Sequence, residues 1–322
     1  TQASLPLFTP RSVSGGSIDT TYLQGDAFVG YIGRGATSRF LSDVESSTGD
    51  YGLSGYINYV RETDYHTVAF LNDQTTFGSK IFEIFIKYYD SNNAQIGATT
   101  GLSNISTAGG EKPSTVSTDA DRLIYLGCGP ANLEAQSATT GARPSNFSNW
   151  AYYTIQGADA SPGYAIKTAL YYFVKEDGSC KNFKVRRLAF RNSLGCYDYL
   201  NFRMKSTQTV EVQRNTYNSL IGRYNASKFI YNDTQRGKDT REVTAVLKET
   251  LNTDWLSEEQ ANLVEKLIMS RSVYMVENSD TTYTQGVMVT DSSHVRKTVS
   301  NDGMKIQYTI NIEYANPLNT NS

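Results

Sequence analysis

The chain has 322 residues, 30 Lys+Arg against 32 Asp+Glu, a formal net charge of −2 and 39% hydrophobic residues. The length admits two domains, and the charge balance excludes a uniformly basic nucleic-acid binder while leaving room for a local patch. No apolar run reaches the ~20 residues of a membrane span, so no membrane insertion is expected.

Tyrosine is abundant, with 23 copies beside many Asn, Ser and Thr. That composition suits β-sheets with polar, aromatic-rich interfaces. The three cysteines, Cys128, Cys180 and Cys196, have no C-x-x-C spacing and make no disulfide framework. They are expected as reduced thiols in or near β cores, in keeping with assembly in a reducing cytoplasm. Two histidines, His66 and His294, are too few for a zinc site.

Residues 1–20 carry two prolines, adjacent glycines and no hydrophobic period, and are expected as an extended N-terminal arm. Strand-like runs follow at Tyr56–Val60, His66–Leu71, Ile81–Tyr89, Leu123–Leu126 and Ala151–Ile155. Between them, Ser91–Val116 and Gln136–Asn149 are rich in Gly, Ser, Thr and Asn and read as long surface loops. Leu170–Lys175, Phe183–Phe190 and a returning run from Tyr197 to Phe202 add strands. The pattern over 21–206 predicts an antiparallel β-sandwich domain, with a boundary near Ser206.

Tyr217–Thr240 is polar and aromatic, with Arg223, Lys228, Arg236 and Lys238 interleaved with Tyr224, Phe229 and Tyr231. Stacking rings and cations would suit a nucleic-acid strand. A protruding hairpin or loop with solvated charges is the preferred expectation, and it could serve as an assembly contact.

The strongest local signal lies further on. Ser257 and Gln260 form a capping box, Leu256 is placed to staple onto Ala261, and Glu258 and Glu259 suit the first helical turn. Leu263, Val264, Leu267 and Ile268 make one apolar stripe, so a single helix is expected at about 257–269 with one face on a sheet. Trp255 is expected to seal the same core. Ser272–Glu277, Gln285–Thr290 and His294–Ser300 are expected strands. Lys305–Tyr314 alternates, with Ile306, Tyr308, Ile310, Ile312 and Tyr314 on one face. Residues 207–322 thus read as a β module with one flanking helix.

The same residues bear on catalysis. Neither histidine neighbours a nucleophile elbow, and the YIGRGATS run around Gly33 and Gly35 has too few glycines for a phosphate loop. Asp64, Asp90, Glu176, Asp177 and Asp198 sit at turns or strand ends, where paired carboxylates could meet in space. Asp198, between two tyrosines, is the most suggestive, although capping turn amides is the preferred role. Asp119, Asp121 and Glu134 lack the dense oxygen spacing of a calcium loop. The chain is therefore expected not to be an enzyme, with no catalytic, cofactor-binding or metal-ligating residue assigned and no cofactor.

Two stretches resemble structural proteins of tailed bacteriophages. One is CKNFKVRRLAFRNSLGCYDYLNFRMKS, from Cys180 to Ser206. The other is the C-terminal run TDWLSEEQANLVEKLIMSRSVYMVE with VMVTDSSHVRKTVSNDGMKIQYTINIEYAN. The resemblance covers the second half of the chain, and the first 170 residues carry no matching motif. It implies a virion protein of the tail: a tail-hub, distal-tail or baseplate component, assembled in the host bacterial cytoplasm. It also implies a tail-tube-like β-sandwich or barrel at 207–322. The subunits would form a homo-oligomeric ring, such as a hexamer, contact other tail proteins and let DNA pass without sequence-specific binding. A ring requires a head-to-tail interface whose rotation closes. The alternative is a carbohydrate- or receptor-binding β-sandwich appendage; a glycan hydrolase on such a sandwich ranks third.

Overall fold

The structure, a computed structural model, describes residues 13–14, 17–18, 41–71, 81, 83–103, 123–134, 147–158, 166, 168–176, 183–231, 236–276, 284–291 and 306–316. The chain is mainly β. In chain order the strands are β1 (Val13–Ser14), β2 (Ser17–Ile18), β3 (Ser46–Thr48), β4 (Ser54–Val60), β5 (Thr67–Leu71), β6 (Glu83–Tyr89), β7 (Gln95–Ser103), β8 (Leu123–Gly127), β9 (Tyr152–Ala158) and β10 (Tyr171–Lys175). They continue as β11 (Arg186–Arg191), β12 (Tyr197–Phe202), β13 (Thr207–Asn218), β14 (Arg223–Asn225), β15 (Lys228–Ile230), β16 (Lys238–Asn252), β17 (Val273–Val276), β18 (Thr284–Val289) and β19 (Thr309–Tyr314). Helix α1 (Glu258–Ile268) lies between β16 and β17.

The first large sheet has the order β3-β4-β10-β9-β6-β7. Alternation sets its inner face: Ile84, Ile86 and Tyr88 on β6, Tyr153 and Ile155 on β9, Tyr171 and Phe173 on β10 are buried. The β5–β8 pair adds Val68 and Phe70 to this core, and Trp150 joins it. Two expectations are corrected here. The sheet is not wholly antiparallel, because β10 runs parallel to β4, with Tyr171 opposite Tyr56. More than a hundred residues separate these strands, so no tight hairpin dictates their direction. Gln95–Ser103, read as part of a loop, is an edge strand paired with β6. Its Gly/Thr content hid it, and only Ile96 and Leu102 face the core.

The second large sheet is antiparallel, with the order β12-β11-β17-β18-β19-β16-β13. Helix α1 packs its Ala261, Val264 and Leu267 into the core formed with Leu188, Phe190, Leu251, Met275, Ile310 and Ile312. Full burial of Val264 and Leu267 is worth about 1.5–3 kcal/mol for each side chain. The capping box forms as expected: Ser257 Oγ accepts from Gln260 N–H, and the Gln260 side chain accepts from Ser257 N–H. Ile306, Tyr308, Ile310, Ile312 and Tyr314 are all buried, as their alternation predicts. Trp255 is a correction: it is 54% exposed, and its neighbour Leu256 fills the core instead.

The chain changes sheets between Glu176 and Arg186, upstream of the expected boundary at Ser206, because β11 pairs with β17 of the second sheet. The described strands and helix of both stretches that carry the phage resemblance therefore belong to this one sheet and the helix packed on it. Among the described residues neither sheet closes into a barrel.

Candidate functional site

The most unusual element is a long two-stranded ribbon formed by β13 and β16. Its sequence, TQTVEVQRNTYN against KDTREVTAVLKETLN, is rich in Thr and Val and suits extended backbone. All twelve residues of β13 are exposed. β13 is the end strand of the second sheet, so its outer backbone edge has no neighbouring strand among the described residues. From Lys238 to Thr244 the partner strand β16 is also largely exposed. Pairing runs from Thr207 opposite Thr250 to Asn218 opposite Lys238, with a bulge after Asn215 that leaves Arg241 unopposed. At the strand rise, twelve paired residues reach roughly 40 Å.

The root of the ribbon is anchored in the sheet. Glu249 is buried and accepts from Arg186 Nε at 2.7 Å, Tyr314 Oη–H at 2.6 Å and Gln208 Nε2 at 3.1 Å. Burial pushes its carboxyl up, but these three hydrogen bonds and the Arg186 charge outweigh it and hold the pKa low. The ribbon thus leaves the body from a charged, fully bonded base.

The tip carries the small β14–β15 hairpin, turned at Ala226 with a φ of +56°. Gly222, at φ +90°, precedes it; a Cβ there would lie 2.9 Å from the Ile230 carbonyl oxygen, so the close backbone approach requires glycine. Leu220 is 96% exposed and Tyr224 79%, with Ile221, Phe229, Ile230 and Tyr231 also exposed. Tyr224 and Phe229 meet edge to face, centroids 5.4 Å apart. Arg223, Lys228, Arg236 and Lys238, the expected cations, lie within or close to this hairpin in the chain and are exposed. An exposed apolar cluster of this size marks a contact surface.

The candidate catalytic residues fall elsewhere, into two buried networks. Asp64 follows β4, and its carboxylate accepts from Arg61 (N, Nε and Nη2) and from Arg187 Nη1 at 3.2 Å. Arg187, on β11, also donates to Asn201 Oδ1 at 2.7 Å and to His66 Nδ1 at 2.9 Å, and its guanidinium lies over the Tyr199 ring. Asn201 in turn donates to Glu176 at 2.6 Å. Burial pushes the Asp64 carboxyl up, but the Arg187 and Arg61 charges outweigh it and leave its pKa low. Burial and the Arg187 charge hold His66 well below its usual value, so it is neutral, with Nδ1 accepting and the proton on Nε2. Burial raises the Glu176 carboxyl. Asp64, His66, Glu176, Arg187 and Asn201 therefore form one network linking both sheets. All but Glu176 are almost entirely inaccessible, which suits a structural clamp rather than turnover.

The second network holds Asp198, on β12. It accepts from Ser42 Oγ at 2.6 Å, Asp43 N–H at 2.8 Å and Asn192 Nδ2 at 3.0 Å. Asp43 accepts from Ser193, and Lys266 of α1 donates to the Asp43 carbonyl oxygen. Asp198 thus fastens the 41–45 segment to the β11–β12 turn; the expected role in capping turn amides falls instead to Asn192, whose Oδ1 accepts from Leu194 and Cys196 N–H. Burial, with Asp43 adding to it, pushes its pKa up to about 6.

Asp90 caps the turn between β6 and β7, accepting from Asn92 and Ala94 N–H. Cys128 and Cys196 are buried free thiols; burial raises both, Cys196 to about 12, so neither is a poised nucleophile. Asp119, Asp121, Asp177, Cys180 and His294 lie outside the described residues, as do the 1–12 part of the expected N-terminal arm and the expected strand at His294–Ser300. Glu134 belongs to no cluster that could hold a metal, and no such cluster occurs among the described residues. Sequence reasoning missed Arg187 and Asn201, which meet Asp64 across more than 120 positions.

No family model, curated protein or solved structure matches this chain.

Proposed function

We propose that this protein is a non-enzymatic virion structural subunit of a tailed-bacteriophage tail, which self-assembles into a ring of the hub, distal-tail or baseplate kind. The observation that carries the reading is the ribbon, an anchored β arm that holds an apolar, cationic tip roughly 30 Å beyond the part of β16 that pairs with β19. A monomer gains nothing from exposing Leu220, Tyr224 and Phe229 so far from its core; a neighbour covering them would. The resemblance of the β11–β12 region and of the stretch from α1 to β19 to tail proteins gives the assembly its biological setting. The ring would join neighbouring tail components around the DNA channel, with DNA passing without sequence readout.

The test removes the tip. Replacing residues 219–237 with an Asn-Gly turn closes β13 onto β16 without touching the sheet. Assembly, read by light scattering, is lost while the thermal midpoint of the body is kept. Unchanged assembly would count against the arm as the contact.

A second reading, a carbohydrate-binding appendage, has one observation in its favour. On the outer face of the first sheet, Tyr89 and Tyr152 stack at 4.9 Å, Tyr51 and Tyr152 at 5.7 Å, and Tyr172 stands beside them. Flat rings of this kind suit sugar faces, but here they stack on one another. Glycan-array binding that is lost in Tyr51→Ala would favour this reading.

A further inference from the structure

We infer that the ribbon tip of one copy docks on a second copy, at the root corner around Trp255, in a head-to-tail contact. The inference rests on the assembly reading above and names its two surfaces.

The occupant follows from charge. From Arg214 to Arg241 the ribbon holds six Lys/Arg against two Asp, a net +4. The whole chain is −2, so the remainder carries −6. The body of another copy is therefore electrostatically complementary to the tip. A bare polyanion would satisfy the cations but leave Leu220, Ile221 and Phe229 without an apolar partner. A protein surface with an exposed ring and acids satisfies both.

The body offers such a surface at one corner. Trp255 is 54% exposed, although the adjacent Leu256 is buried. Glu258 and Glu259, also exposed, sit beside it on the first turn of α1. An exposed tryptophan is the residue type most often found at the energetic centre of an interface. Arg223 and Lys228 of the tip can face the two glutamates while Tyr224 and Phe229 cover the indole, with cation–π contact available as well.

Geometry makes the contact intermolecular. Trp255 follows the root end of β16, whereas the tip lies beyond its other end, Lys238. The length of the ribbon separates the two patches, so one copy cannot bring its own together. Each copy then presents one donor surface and one acceptor surface, the heterologous arrangement that generates rings or filaments.

The experiment is native mass spectrometry of the full chain and two variants. The tip variant is Arg223→Glu/Lys228→Glu and the corner variant is Trp255→Lys; all three positions are exposed, and thermal melts check that each variant folds. The parent is expected to be oligomeric, and each variant alone monomeric at the same concentration, its association weakened about tenfold or more. An equimolar mixture of the two variants is expected to stop at a 1:1 dimer, because only one intact tip and one intact corner remain to meet. Parent-like assembly by either variant, or a mixture that stays monomeric or grows beyond two copies, overturns the docking while leaving self-assembly intact. A parent that is monomeric throughout overturns both. Retention of a double-stranded DNA probe by the parent, lost in the tip variant while that variant still assembles, would make nucleic acid the occupant and overturn the inference.

Discussion

Arg187 and Asp64 form a buried ion pair, Nη1 to Oδ2 at 3.2 Å, across the joint between the two sheets. Arg187 belongs to β11 of the second sheet; Asp64 lies in the turn that leaves β4 of the first. Both side chains are inaccessible to solvent, and the same guanidinium also holds His66 and Asn201. One arginine thus bonds three partners drawn from both sheets. A buried pair is weak evidence of net stabilisation, but breaking it leaves an uncompensated charge.

Arg187→Ala is therefore expected to cost about 3–5 kcal/mol of stability, measured by urea unfolding. Arg61 still contacts Asp64, which sets the loss toward the lower end. A loss below 1 kcal/mol would mean that the network relaxes or admits water.

Gly129 is the packing counterpart of that joint. A Cβ there would lie 2.4 Å from His66 N and 2.5 Å from Asp64 O, both backbone atoms. Gly129→Ala should displace the 64–66 segment and destabilise the protein by roughly 3 kcal/mol, seen as a lowered thermal midpoint.

Asp198 gives a pH signature of opposite sign to a salt-bridged carboxylate. Its folded pKa, about 6, lies above the unfolded value of about 3.9. The folded state therefore binds the proton more tightly, and the contribution is fully present below pH ~4 and lost as pH rises through about 6. Asp198→Asn can keep the bonds to Asp43 N–H and Asn192 and donate to Ser42. Its thermal midpoint should fall less than the parent's between pH 4 and pH 7, a difference on the order of 2–3 kcal/mol. Parallel pH profiles for the two proteins would contradict the assignment.

Ala226 turns the tip hairpin at φ +56°, where a Cβ is unfavourable. Ala226→Gly should relieve up to about 1 kcal/mol locally. Slower amide exchange in β14 and β15, with an unchanged global midpoint, is the expected result.

Much of the second sheet was legible because its signals are local. The capping box, the apolar stripe of α1 and the alternation of Ile306 to Tyr314 each lie within one element, and each appears as expected. What failed depends on distant partners. Nothing near Trp255 says that Leu256 takes the core position, since either could follow the same cap. The parallel β4–β10 pair, and β11 joining β17, are choices between strands far apart in sequence. The composition of Tyr217–Thr240 points to a projecting loop or hairpin, but not to the twelve-residue pairing behind it. Only Thr209–Val212 of β13 stands out as strand-like, and its polar remainder is held extended by pairing with β16. The buried networks were half visible: Asp64, His66, Glu176 and Asp198 stood out as titratable groups, whereas Arg187 and Asn201 gain their meaning only from the fold.

The proposed self-assembly is read from the native mass of the unmodified protein over a hundredfold range of concentration. A discrete oligomer that dissociates in high salt, as a contact between the cationic 214–241 end of the ribbon and an acidic body should, is the predicted result. A monomer at every concentration, in low and high salt alike, would contradict it.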